Sequence, residues 1–279
     1  MTHAAPDWVK VASPATCLAD FNMLTSREHP GIALACLSGV GGEQGKKYLE
    51  SLTDAGLRKH LQQQDTVQHR LWNYAYTLDK QVSGFFRDSA YSEEACATLE
   101  DGIGDFFPDK NTAQKNGRSV LIAHISHMAA KFASLADTRK LNVSLMYEYS
   151  SHGDNGHALE FSVPDDGRLQ GEINLKGPGR LFADRNTYGL ETLEDVMSDD
   201  LSGEEAERLE KNAFRLPSRC FAVWQGIGGK RPVISAPPRL SSGQHRLSIS
   251  FLPLGEQEAY RRKKGTIGQI RTAQLTVTD

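Results

Sequence analysis

The sequence has little of what would place it quickly. Its four cysteines, Cys17, Cys36, Cys96 and Cys220, stand far apart among 279 residues. That spacing offers neither a zinc knuckle nor a disulfide framework, and a reducing, cytoplasmic setting is expected. No apolar run approaches the roughly 18 residues of a membrane span. The opening MTHAAPDWVKVASP lacks the basic-then-apolar order of a secretory signal. Neither sign of charge dominates: 32 Lys and Arg stand against 35 Asp and Glu, for a formal net charge of -3. The strong basic field of a nucleic-acid binder is therefore missing. The expected partner is a small-molecule substrate or another protein, with no nucleic acid and no membrane. The glycine runs SGVGGEQGKK and GIGGKR lack the spacing of a phosphate loop or a dinucleotide fingerprint. The basic run at 261–264 is short, follows Glu256 and Glu258, and reads as a solvated hinge.

What remains is an ordinary folding chain, 39% hydrophobic and 24% charged. Its length suits one large domain or a core with an appended helical part. Residues 1–45 are irregular, apart from GIALACLSGV, which reads as a buried strand or an apolar lid. Residues 46–137 read mostly as helix. Val67, Leu71, Tyr74, Leu78, Val82 and Phe85 recur at steps of three and four, the spacing of one buried helical stripe. Leu121, Ile125, Met128, Phe132 and Leu135 draw a second stripe.

The period changes at Leu141. Leu141, Val143, Leu145, Tyr147 and Tyr149 alternate with Asn142, Ser144, Met146 and Glu148, which predicts a strand with one strongly apolar face. Further strands are predicted at 158–163, 169–175, 220–226 and 245–252, separated by turn-forming Gly, Pro, Asp and Ser. The interval 190–213 is helical and acidic, with Ser202 and Glu205 at capping-box spacing. The alternating tail TAQLTVT reads as a last edge strand. The expected fold is α+β. A mainly helical region, 1–140, acts as a lid or sheet cover. It packs on a β-barrel or sandwich domain at 141–279, which carries the 190–213 helical insertion.

Two segments carry candidate chemistry. His152 and Asp154, two residues apart after a strand, present side chains on one face if the strand continues. A ferrous oxygenase centre uses two imidazoles and a carboxylate, and His-x-Asp supplies two of the three. A polar turn, SHGDNG, is the plainer reading of the same residues. His157 and Glu160 form another imidazole–carboxylate pair nearby. In the second segment, Arg246, Ser248 and Ser250 share one strand face. This face is either a polar, electropositive interior or a solvated exterior. An arginine fork there suits a carboxylate, and Arg180 and Arg185 are similar candidates. His124 and His127, at i and i+3 on the second helix, read as a polar shoulder beside its apolar stripe. Cys220 opens an apolar strand and reads as core.

Residues 141–254 resemble the double-stranded β-helix (jelly-roll, cupin-like) of the iron and 2-oxoglutarate-dependent dioxygenase superfamily. His152-Gly-Asp154 resembles that family's first metal motif. GRLQGEINLKGPGRLF, at 167–182, resembles the middle strands. Gly243 to Phe251 resembles the late strand with its cosubstrate arginine. The resemblance implies Fe(II) held by His152 and Asp154, and 2-oxoglutarate held by Arg246 with Ser248 beside it. It also implies hydroxylation of a small molecule or side chain. The distal histidine of that pattern should fall in Lys230-Arg-Pro-Val-Ile-Ser-Ala-Pro237, which has none. His245 adjoins Arg246, so a regular strand points it to the opposite face. A bulge would be needed to bring it round. The alternative is a non-catalytic binding or partner-interaction protein that keeps the barrel and has lost the metal centre.

Overall fold

In a computed structural model, the chain is described over residues 6, 8–12, 32–36, 42–64, 67–72, 75–86, 93–150, 161–163, 169–183, 188, 192, 195–196, 201–225 and 233–254. The helices are α1 (Gly42–Ser51), α2 (Asp54–Leu61), α3 (Glu93–Ile103), α4 (Thr112–Leu135) and α5 (Gly203–Asn212). The strands are β1 (Val9–Ala12), β2 (Ile32–Cys36), β3 (Gln68–Trp72), β4 (Ala75–Phe85), β5 (Lys140–Ser150), β6 (Leu169–Lys176), β7 (Leu181–Ala183), β8 (Phe214–Arg215), β9 (Cys220–Gln225), β10 (Ile234–Ala236) and β11 (His245–Pro253).

The fold is α+β, built on two sheets. Eight strands run in the order β1-β2-β9-β6-β11-β5-β4-β3, and three in the order β10-β7-β8. Every neighbouring pair is antiparallel except β1 with β2. Three apolar clusters define the layers. The largest joins α1–α4 to one face of the large sheet, through residues such as Leu121, Ile125, Phe132, Val143, Leu145, Ile249 and Phe251. Phe182, Leu216, Ala222, Trp224 and Val233 pack in a second cluster that includes residues of both sheets. Leu181, Ala183, Ile234 and Ala236 meet Leu209 of α5 in the third. Both faces of the central strands are thus covered, and β5 is buried along almost its whole length.

The second helical stripe forms as expected. It is α4, capped by Asn111, whose side chain accepts the Gln114 N–H. Its Phe132 lies over Gly171 of β6, where an added Cβ would sit 3.0 Å from the ring. The stretch 67–85 does not form a helix. It is the β3–β4 hairpin, and β4 pairs with β5 over eleven residues, from Ala75↔Ser150 to Phe85↔Lys140. The β5, β6, β9 and β11 strands lie where alternation put them. Of 158–163 only 161–163 are described, and Ser162 bridges Ser235. GIALACLSGV contains β2. Ser202 caps α5 reciprocally: its Oγ accepts the Glu205 N–H and donates to the Glu205 carboxylate. Cys220 is buried. The tail TAQLTVT and the 261–264 run lie outside the described residues. No described helix is long and apolar enough to cross a membrane.

Candidate functional site

Cross-strand partners share a sheet face, so register alone assembles the site. On β11, Arg246 pairs with Glu148 of β5, and Ser248 pairs with Asn174 of β6. Glu172, two residues before Asn174, pairs with Ala222 of β9. These side chains therefore occupy the face turned away from the large helical cluster. The interior reading of the Arg246 face is the observed one: Arg246 is 1% exposed, and Ser248 and Glu172 are 0% exposed.

Arg246 is committed on two sides. Its Nη1 donates to Glu148 Oε2 at 2.6 Å, and its Nη2 donates to Glu172 Oε1 at 2.5 Å. Glu172 also accepts from Arg180 Nε at 2.7 Å, and Arg180 reaches Ser235 Oγ on β10 at 3.5 Å. The Arg180 guanidinium carbon stands 5.5 Å from the Trp224 ring centre. Two carboxylates thus face two guanidiniums, and the four charges sum to zero. Burial by itself would push the Glu172 carboxyl up; Arg180 and Arg246 outweigh it and hold the group below the usual carboxylate range. Burial would lower Arg246, and Glu172 and Glu148 together hold it above its ordinary value. Among the described residues, the buried Arg246 Nε, Ser248 Oγ, Asn174 Oδ1 and Trp224 Nε1 have no hydrogen-bond partner.

The opposite face carries a separate polar cluster. β6 bulges opposite Leu247/Ser248, so that Lys176 pairs with Leu247 and Asn174 with Ser248, leaving Leu175 as the extra residue. The bulge turns Lys176 toward the helices. There its Nζ meets Asp54 Oδ1 at 3.0 Å and donates to Leu52 O at 2.6 Å. The β11–β5 register is unbroken, so His245 stays on this helical side and does not join Arg246. The Tyr147 hydroxyl donates to Asp54 O at 3.0 Å, and His245 Nδ1 contacts the same hydroxyl oxygen. A carbonyl only accepts, so Tyr147 gives its one proton to Asp54. Its oxygen then accepts from His245, and Nδ1 carries the imidazole proton.

His245 titrates below the usual imidazole value of about 6.5. Burial is the main cause; Asp54 opposes it, and Arg58 and Lys176 add to it. A depressed folded pKa means that the unfolded chain takes up the proton first as pH falls. The contribution of this cluster is therefore present above about pH 6.5 and lost on acidification through the folded value. A nuclear magnetic resonance titration should place the His245 midpoint below that of a free imidazole. A midpoint above it would contradict this account.

His152, Asp154, His157, Glu160 and Arg185 lie outside the described residues. Among the described residues, no group of three or more His, Cys, Asp or Glu side chains is arranged to hold a metal. His124 and His127 sit half-buried on α4. His124 is shifted below its usual value by burial and then by His127. A dicarboxylate at Arg246 fits the described residues poorly, because both terminal nitrogens are held and two carboxylates already stand there. The two glutamate partners of Arg246 were missed in the sequence. Their signal was there: Glu148 and Glu172 are carboxylates inside strands that alternation predicts, and a buried arginine needs such partners.

No family model and no curated protein matches the chain. Among solved structures, the rice dioxygenase for auxin oxidation is similar at 11% identity and a TM-score of 0.46, covering 93% of this chain and 96% of that one. The dioxygenase for auxin oxidation 1 of Arabidopsis thaliana, solved with 2-oxoglutarate, matches at 12% identity and a TM-score of 0.45, covering 88% and 92%. A Pseudomonas putida prolyl-4-hydroxylase matches at 9% identity and 0.38, covering 85% and 97%.

Proposed function

We propose that this chain is a binding protein on an oxygenase-like double-stranded β-helix scaffold, and that it does not turn over 2-oxoglutarate. The observation that carries the reading is the double commitment of Arg246 to Glu148 and Glu172. An arginine that grips a free carboxylate has its fork open toward that ligand. Here each terminal nitrogen already donates to an internal carboxylate, and an incoming dianion would meet two like charges at close range. The lack of a histidine at 230–237 points the same way.

A second reading keeps the oxygenase. Fe(II) would be held by His152 and Asp154, and 2-oxoglutarate by Arg246 and Ser248. It is favoured by Arg246 and Ser248 facing one buried interior. On that reading the cosubstrate must displace Glu148 or Glu172.

One assay separates the two. The purified chain is incubated with Fe(II), ascorbate and 2-oxoglutarate, and succinate is measured. The binding-protein reading expects no succinate above a protein-free control. Succinate formation that disappears in both Asp154→Ala and Arg246→Met would overturn it and establish the second.

A further inference from the structure

Arg246 is a carboxylate-binding station whose occupant belongs to the chain itself. Its two anionic partners are held unequally. Glu172 is fully buried and bonded to two guanidiniums, so it is fixed. Glu148 makes one bond to Arg246, at Nη1, and its side chain keeps 6% exposure. Of the two carboxylates it is the one nearer to release.

We infer that the Glu148 carboxylate acts as a built-in ligand of Arg246, and that the space it fills is a receptor site for a small monocarboxylate once that side chain is removed. The size of the ligand follows from the atoms. Glu148→Ala deletes one methylene and one carboxylate, the heavy atoms of acetate. The charge follows as well. Without Glu148, Arg246 and Arg180 share Glu172 alone, leaving one buried positive charge uncompensated. A monoanion restores neutrality, whereas a dianion overshoots it and exceeds the vacated volume. The inference concerns how Arg246 recognises an anion and rests on the binding-protein reading, in which Arg246 does not take 2-oxoglutarate.

Thermal and urea unfolding of Glu148→Ala are measured with sodium formate, acetate, chloride or 2-oxoglutarate at matched ionic strength, and with neutral acetamide. A ligand that binds only the folded state lowers the apparent unfolding constant roughly tenfold at ten times its Kd. Saturable stabilisation of this size is expected from formate and acetate, and none from acetamide, chloride or 2-oxoglutarate. The wild type and Glu148→Asp, which keep the internal carboxylate, should show no response. If Glu148→Ala does not fold in buffer, refolding is repeated with and without acetate, and recovery in acetate alone counts as the expected result. Equal behaviour in all salts, or no recovery in any, overturns the inference. The succinate assay reads the wild type and this one reads the variant, so the two can fail separately.

Discussion

Glu172→Ala should destabilise the protein by about 3–5 kcal/mol, the range for breaking a buried charge network by removing one partner. Glu172 is the hub. It is fully buried and is the only described carboxylate that bonds both Arg180 and Arg246. Removing it leaves two guanidiniums between the sheets with only Glu148 to balance them. Urea unfolding at neutral pH measures the loss. Two further signs distinguish a charge effect from lost packing. The cost of Glu172→Ala and Arg246→Ala together should fall well short of the sum of the single costs, because each single change orphans the other's partner. The network should also respond to acid with a defined sign. The folded Glu172 carboxyl lies below its unfolded value of about 4.3, so its contribution is full above that value and is lost as pH falls toward the folded one. Additive costs, or a wild-type stability indifferent to pH below about 4.3, would contradict the role of Glu172.

Phe132→Ala should cost a similar amount, about 3–5 kcal/mol, by opening a cavity in the largest core. The ring is 1% exposed. It stands 5.8 Å from the Phe251 ring and 6.5 Å from that of Phe221, and it fills the space left by Gly171. It is therefore a main tie between α4 and the strands β6, β9 and β11. Chemical denaturation reads the loss. Gly171→Ala gives an independent check, since its new methyl points at Phe132 and Phe221. Alone it crowds the core and destabilises; combined with Phe132→Ala it partly fills the cavity, so the pair should cost less than the sum. A change below about 1 kcal/mol for Phe132→Ala would mean that the helix is not seated as described.

The legible and illegible parts of the fold divide along a physical line. β5 and β11 could be read because their alternation is strict over many residues, and α4 because its stripe runs several turns with a clear cap. The β3–β4 hairpin was misread as helix because a step of four is ambiguous. Residues i and i+4 share a face on a helix and also on a strand. Leu78 and Val82 satisfy both patterns, and the sequence between them does not arbitrate. Pairing decided it, through β5 some sixty residues downstream, as in Val82↔Val143. The site divides in the same way. Parity separates Arg246 from His245 and joins it to Ser248. What parity cannot supply is the neighbour on the next strand, so Glu148 and Glu172 became partners of Arg246 only once register was known.

The extra residue in β6 has a consequence for anyone aligning this chain with a distant relative. Counting by twos from Glu172 through Asn174 would file Lys176 with the interior side chains, next to Arg246. Leu175 breaks that count, and the lysine anchors the α1–α2 connection on the other side of the sheet. An alignment that slides past this single insertion would invent a third cation in a compartment whose charges already cancel.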